Sequence, residues 1–247
     1  MRPRRSSPYV SSYSFGPGPL TPAIKAIIIA NVVCFVAQTV MPSLTITFGL
    51  IPAAVLDLHV WQLVTYMFMH AGVIHILFNM LGLWMFGTEL ERIWGTRYFA
   101  KFYAVTGIGA GILTVLISLL PFGFAEVLRE SVVIGASGAL YGLLLAYAIY
   151  FPDRPIYFYL IFPIPAKYFV MIIGALAFYS SLGASGGVAS ATHLGGLLVG
   201  YLYLKGGRMH PLSELKYRYV KWKINRVRKK FDVYSGGRSD DWDRRVH

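Results

Sequence analysis

Charge is scarce in this sequence and cysteine almost absent. Charged residues make up 14% of the 247 positions against 56% hydrophobic ones, and the apolar residues gather in several runs near the length that crosses a bilayer. A water-soluble core does not explain such runs, so the class is a polytopic membrane protein. The single cysteine, Cys34, lies inside the first run and excludes any intrachain disulfide. The first 21 residues contain no apolar run. They carry Arg2, Arg4 and Arg5 among prolines, glycines and serines, and the run that follows is too long for a secretory signal. Residues 1–21 therefore read as a disordered basic cytoplasmic tail.

Six spans are expected, near 22–42, 62–88, 100–120, 132–151, 166–183 and 188–205. Six spans return the chain to the side it started from. Of the 23 Lys and Arg residues, all but Arg129 fall on that starting side: at the beginning of the chain, in the connection holding Arg92, Arg97 and Lys101, in that holding Arg154 and Lys167, and from Lys205 onward. Positive charge marks the cytoplasmic face, so both termini are expected inside.

Residues 206–247 differ in kind. From Pro211 to Phe231, Val220, Ile224, Val227 and Phe231 recur at helical spacing among Lys221, Lys223, Arg226, Arg228, Lys229 and Lys230. That pattern predicts an amphipathic helix over 211–231 lying on the cytoplasmic leaflet and drawn to anionic lipid. A solvated charged tail is the plainer alternative. Tethering to a membrane argues against nucleic acid as the partner, and Tyr234 to His247, rich in Gly, Ser, Asp and Arg, reads as disordered.

Polar side chains inside the spans carry the functional signal, because they are costly there and face a bundle interior or a wet cavity. Span four opens on Gly135-Ala136-Ser137-Gly138-Ala139-Leu140-Tyr141-Gly142. Gly135, Gly138 and Gly142 are read as one bare helix face that another backbone approaches closely, with Ser137 at its edge. Span six carries Thr192-His193-Leu194-Gly195-Gly196 and then Gly200, a second Gly-x-x-x-Gly spacing. Ser137 and His193 each lie about five residues into a span that enters from outside, hence at matching shallow depth. A serine beside a histidine is a candidate nucleophile with its base. Span two adds His70, His75 and Asn79, of which His75 and Asn79 are four apart and share a helical face.

On these residues the chain resembles the rhomboid intramembrane serine proteases. It has Gly-Ala-Ser-Gly on span four, a histidine followed by Leu-Gly-Gly on span six and His-x-x-x-Asn on span two. Gly87-Thr88-Glu89-Leu90-Glu91-Arg92-Ile93-Trp94-Gly95 resembles the family's stretch after span two, and Gln62 after Trp61 fits the first loop. The resemblance covers residues 22–205 in order. It implies an all-α bundle of six transmembrane helices, of the bacterial type, with a cavity open to the outer face. It also implies a dyad in which Ser137 attacks the scissile carbonyl and His193 moves the proton. No Asp or Glu lies near that depth in spans four or six, which agrees with two residues rather than three. By the same resemblance His75, Asn79 and the Ser137 N–H bind the oxyanion, and Tyr141 stacks on the His193 ring. Gly196 and Gly200 complete the close packing of span six.

The expected substrates are single-pass membrane proteins whose transmembrane helix enters sideways, cut near the outer face of a plasma (inner) membrane. No cofactor is expected. No metal is expected either: His70, His75 and His193 have no carboxylate or cysteine beside them, and there is no His-Glu-x-x-His. Two other classes fit parts of the pattern. A catalytically inactive rhomboid-like binder of membrane helices would share the fold, and a transporter would share the polar span residues without the inverted repeat expected of one.

Overall fold

The computed structural model describes residues 16–121, 123–158, 162–181 and 187–208. Helix α1 (Pro22–Val40) is followed by three short helices, α2 (Leu44–Phe48), α3 (Pro52–Leu56) and α4 (Gln62–Thr65), and by a 3-10 turn at Tyr66–Phe68. A long helix then runs as α5 (Val73–Gly82), a π-helical turn (Leu83–Gly87) and α6 (Thr88–Trp94). Next come α7 (Thr96–Ile117), α8 (Gly123–Glu130) and α9 (Ser137–Tyr150), a hairpin of β1 (Pro155–Phe158) and β2 (Phe162–Pro165), α10 (Ala166–Ser181) and α11 (Gly187–Arg208). Pro22–Val40, Val73–Trp94, Thr96–Ile117 and Gly187–Gly206 are long and apolar enough to cross a membrane, while α9 and α10 are shorter apolar helices. A compact unit ends at Leu204 and a second begins at Lys205. The amphipathic helix expected over 211–231 lies outside the described residues.

Three expectations need correction. Span two is not continuous from 62, because the chain leaves helical geometry between Phe68 and Val73. The reason is a long-range amide pair: Gln38 on α1 donates from Nε2 to the His70 carbonyl at 3.0 Å, and the His70 N–H donates back to Gln38 Oε1 at 3.0 Å. Both His70 backbone groups are thereby taken from any helix.

The bundle is also not purely α-helical. β1 and β2 pair antiparallel, with Ile156 opposite Ile164 and Tyr157 opposite Pro163. Pro155, Pro163 and Pro165 bar a helix here, and the Ile and Tyr positions favour an extended chain.

Finally, residues 16–21 are not a free tail. The Trp84 indole donates to the Gly18 carbonyl at 3.0 Å, Arg92 donates to the Pro17 and Pro19 carbonyls, and Thr21 donates to Glu91. Residues 1–15 lie outside the described residues.

Glu91 anchors the start of the bundle. It is 2% exposed, and its carboxylate accepts from the Ala23 and Ile24 N–H groups at 2.9 and 3.1 Å and from the Thr96 hydroxyl at 2.8 Å. It thus caps the first turn of α1, which has no side-chain cap of its own. The same carboxylate ties α6 to α7 across Gly95, whose φ of 77° suits glycine. Glu89, one turn before Arg92, takes Arg154, and Glu91 takes backbone and hydroxyl donors.

Helix α7 is the central post, packed along α9. Lipid tails are as apolar as leucine, so close approach rather than expulsion of water must hold such helices together. Small residues supply it. Gly138 meets Ala110 and Tyr66, Gly195 meets the Ala110 backbone, and Gly109 meets Val199. Two buried threonine hydroxyls on α7 are satisfied locally, Thr106 donating to the Phe102 carbonyl at 2.8 Å and Thr114 to that of Ala110 at 2.9 Å.

Candidate active site

Ser137 is the first residue of α9, not five residues inside a longer helix, and His193 lies in the second turn of α11. The segment before Ser137 is held on both sides. Val133 and Leu50 exchange backbone hydrogen bonds at 2.8 and 2.9 Å, and the Gly135 N–H donates to the Tyr66 carbonyl at 2.9 Å. Gln62 accepts from the Ile51 N–H at 3.0 Å and Trp61 donates to the Thr47 carbonyl at 3.0 Å, which secures the loop carrying Leu50.

Gly135 therefore does not share a helix face with Gly138 and Gly142. It precedes α9 with φ of 121°, a conformation that excludes an ordinary side chain.

Gly138 and Gly142 do meet α11. A Cβ added to Gly196 would lie 1.9 Å from the Gly138 carbonyl oxygen, and one on Gly200 would lie 3.0 Å from the Gly142 Cα. Backbone lies against backbone over a full turn. Beside this contact the Thr192 and Thr114 hydroxyls share a hydrogen bond at 2.8 Å, pinning α11 to α7 as well. The approach delivers His193 Nε2 to 2.8 Å from Ser137 Oγ. The Tyr141 ring lies flat on the imidazole, with centroids 4.2 Å apart and planes 7° from parallel. A ring held in this way has little freedom to turn away from the hydroxyl.

His75 and Asn79 stand one turn apart on α5, and His75 faces the segment that leads into Ser137. The His75 ring meets Gly135: a Cβ there would lie 2.9 Å from His75 Nε2, 2.8 Å from Cε1 and 3.7 Å from Ser137 Oγ. The Ala71 N–H donates to His75 Nδ1 at 3.2 Å. In the neutral ring the proton is then on Nε2, which makes the nitrogen beside Gly135 a donor. Asn79 is buried and donates from Nδ2 to the His75 carbonyl at 2.9 Å, one turn back, while its Oδ1 has no partner among the described residues. The Ser137 N–H, at the start of a helix with no side-chain cap, is a further donor on this side.

Ser137, His193, Tyr141 and His75 are all half-buried, so the site is reachable while its glycine floor is closed. His70 lies behind it, 1% exposed, its ring edge-on to His75 at 5.0 Å. Among the described residues no group of three or more His, Cys, Asp or Glu is placed to hold a metal.

Sequence reasoning missed Gln38 and Tyr66, both of which act from a distance in the chain. A lone Gln deep in an apolar run was the available signal for the first. Tyr66 offered none beyond its place after Trp61-Gln62.

A family model, the rhomboid domain, matches residues 57–208, more than half of the chain. The chain belongs to the rhomboid family. Rhomboid protein 1, mitochondrial, of Saccharomyces cerevisiae is 32% identical over 142 residues, 55% of this chain and 38% of the yeast protein. Rhomboid protease GluP of Bacillus subtilis is 30% identical over 142 residues, 57% of this chain and 25% of that protein. Rhomboid protease GlpG of Pectobacterium atrosepticum is 27% identical over 195 residues, 78% of this chain and 64% of that protein. The chain thus spans less than two thirds of the length of each of these relatives. It is a multi-pass membrane protein of a family whose members are generally intramembrane serine proteases.

Proposed function

We propose that this rhomboid is an active serine endopeptidase that cuts transmembrane helices through a Ser137/His193 dyad. The observation that carries the reading is the 2.8 Å contact between His193 Nε2 and Ser137 Oγ under the stacked Tyr141 ring. With its proton on Nδ1, the His193 ring accepts the hydroxyl hydrogen. Ser137 attacks the scissile carbonyl, and the imidazolium then returns the proton to the leaving amine. Charge develops on the carbonyl oxygen, and the donors assigned to it are the Ser137 N–H, His75 Nε2–H and the second Asn79 N–H. Water then cleaves the acyl-enzyme by the same path in reverse. Tyr141 fixes the plane of the base. The contacts of Gly196 and Gly200 with α9 set the distance.

The bundle is read as six spans with both termini cytoplasmic, because Lys and Arg concentrate on one side of the path. Ser137, at the start of α9, then lies near the outer face, where water for hydrolysis is close. Substrates are single-pass membrane proteins, unwound around the cut, where Gly or Pro weakens the helix. The membrane is taken to be the plasma membrane, although the yeast relative is mitochondrial by name. Residues 1–15 and 206–247 flank the protease domain, the latter binding anionic lipid through the basic 211–231 segment.

The test is cleavage of a model transmembrane substrate in reconstituted vesicles. Ser137→Ala and His193→Ala should each abolish it while the purified proteins unfold at wild-type temperature. Substantial residual cleavage by a folded Ser137→Ala protein would end the proposal and favour an inactive binder of membrane helices.

A further inference from the structure

Away from Ser137 the chain forms a second cavity, of about 570 Å³. Tyr147 lines it from α9, ten residues beyond Ser137 and so about 15 Å along the helix axis. The cavity is separate from the Ser137/His193 pair, and what fills it does so whether or not the serine is reactive.

Its walls are apolar and aromatic: Met85 and Phe86 come from the π-helical turn, Tyr147 from α9, and Ile156 and Tyr157 from β1. The Phe86 and Tyr147 rings meet edge to face at 5.1 Å. The charged part of the lining is Glu89 and Arg154, which are bonded to each other. A closed ion pair presents no net charge, so the cavity favours an uncharged, apolar occupant over an ion.

The remaining wall is an early stretch of the chain itself. Gly16 and Pro17 line the cavity and are fixed there: the Trp84 indole donates to the Gly18 carbonyl at 3.0 Å, Arg92 donates to the Pro17 and Pro19 carbonyls, and a Cβ on Gly16 would run into the Trp84 ring. Phe15 is joined to Gly16, so its Cα lies about 3.8 Å from one on the cavity wall. Tyr9 to Phe15 reads Tyr-Val-Ser-Ser-Tyr-Ser-Phe and holds no charge; the arginines lie further back, at Arg2, Arg4 and Arg5. In an extended chain alternate residues share a face, so Tyr13 and Phe15 can present two rings to one wall. An occupant tethered this closely competes at an effective concentration of about millimolar or more, which a free molecule has to exceed.

We propose that this cavity is the docking site of residues 13–15 of the same chain, with the Phe15 ring against Phe86, Tyr147 and Ile156 and the Tyr13 ring over Tyr157. Docked there, the N-terminal segment ties the helix that carries His75 to the helix that carries Ser137, at the end away from both residues.

A thiol placed on the wall tests this in the full-length protein in phosphatidylcholine vesicles. Tyr157→Cys, at a 56% exposed lining position, is combined with Cys34→Ala so that N-ethylmaleimide has one target. Adding Phe15→Ala should speed its modification about tenfold, the scale of one buried aromatic contact. An equal rate with and without Phe15→Ala overturns the inference. If both rates match that of the thiol in the unfolded protein, the cavity stands open; if both are slow, something other than residues 13–15 covers it.

A second measurement leaves the cavity untouched. With p-benzoylphenylalanine in place of Phe15, which keeps an aromatic ring there, illumination and peptide mapping should find the adducts on residues 85–86 and 155–157 of the same chain. Adducts on lipid alone would give the cavity to lipid, and adducts on a second copy would make it an interface between copies. Either result overturns the proposal.

Discussion

A single methyl group on Gly196 would lie 1.9 Å from the carbonyl oxygen of Gly138. No side chain fits there without moving α11 away from α9, and the two helices carry the two halves of the proposed dyad.

Gly196→Val should therefore separate Ser137 from His193. Reactive geometry tolerates little displacement, so cleavage should fall about 100-fold for roughly 1 Å of misplacement. Leu197→Val, at a partly buried neighbour packed on Gly174, should stay within a few-fold of wild type. Cleavage assays on the two proteins side by side check this, and a wild-type rate for Gly196→Val would break the link between helix spacing and activity.

Gly135→Ala tests the other side of the site. Its Cβ would press on His75 at 2.8 to 2.9 Å and would need a φ of 121°. Displacing one donor from the oxyanion side should cost about 10²–10³ in kcat. Substrate binding, read as KM, should change much less.

Tyr141 separates orientation from chemistry. Tyr141→Phe keeps the ring stacked on His193 and should stay near wild-type kcat. Tyr141→Ala should lose about tenfold, the scale of one aromatic contact. Equal kcat for the two variants would show that the stacked ring does not position the base.

These residues are legible in the sequence to different degrees. Ser137 with Gly138 and Gly142, and His193 with Gly196 and Gly200, are short-range patterns that helical periodicity assigns to one helix each, whereas the pairing of the two helices, 56 residues apart, is implied only by the resemblance to the rhomboid proteases. Gly135 joins that stripe on spacing alone, because spacing does not show where a helix begins. The break before α5 is invisible for a similar reason: His70-Ala71-Gly72 is ordinary in an apolar run, and its partner Gln38 lies 32 residues away. Pro155, Pro163 and Pro165 do signal a non-helical connection, but strand pairing within it needs a register that composition alone does not supply. Local charge patterning pairs Glu91 with nearby arginines. Instead it caps α1 from 68 residues away, a tertiary contact that such patterning cannot anticipate.

Glu91→Gln should affect stability rather than chemistry. The amide can accept at only one of the two carboxylate oxygens, leaving buried donors at the start of α1 unpaired, at about 1–3 kcal/mol. Thermal unfolding in detergent should move down by several degrees, while kcat well below the transition stays near wild type. An unchanged Tm would mean that α1 is held by other contacts than Glu91.

The central claim is that His193 activates Ser137, and fluorophosphonate labelling followed by peptide mapping tests it most directly. One adduct, on Ser137, is expected in the wild-type protein, with a labelling rate lower by about 10² or more in a folded His193→Ala protein. Labelling of Ser137 at the wild-type rate without His193, or an adduct on another serine, would contradict it.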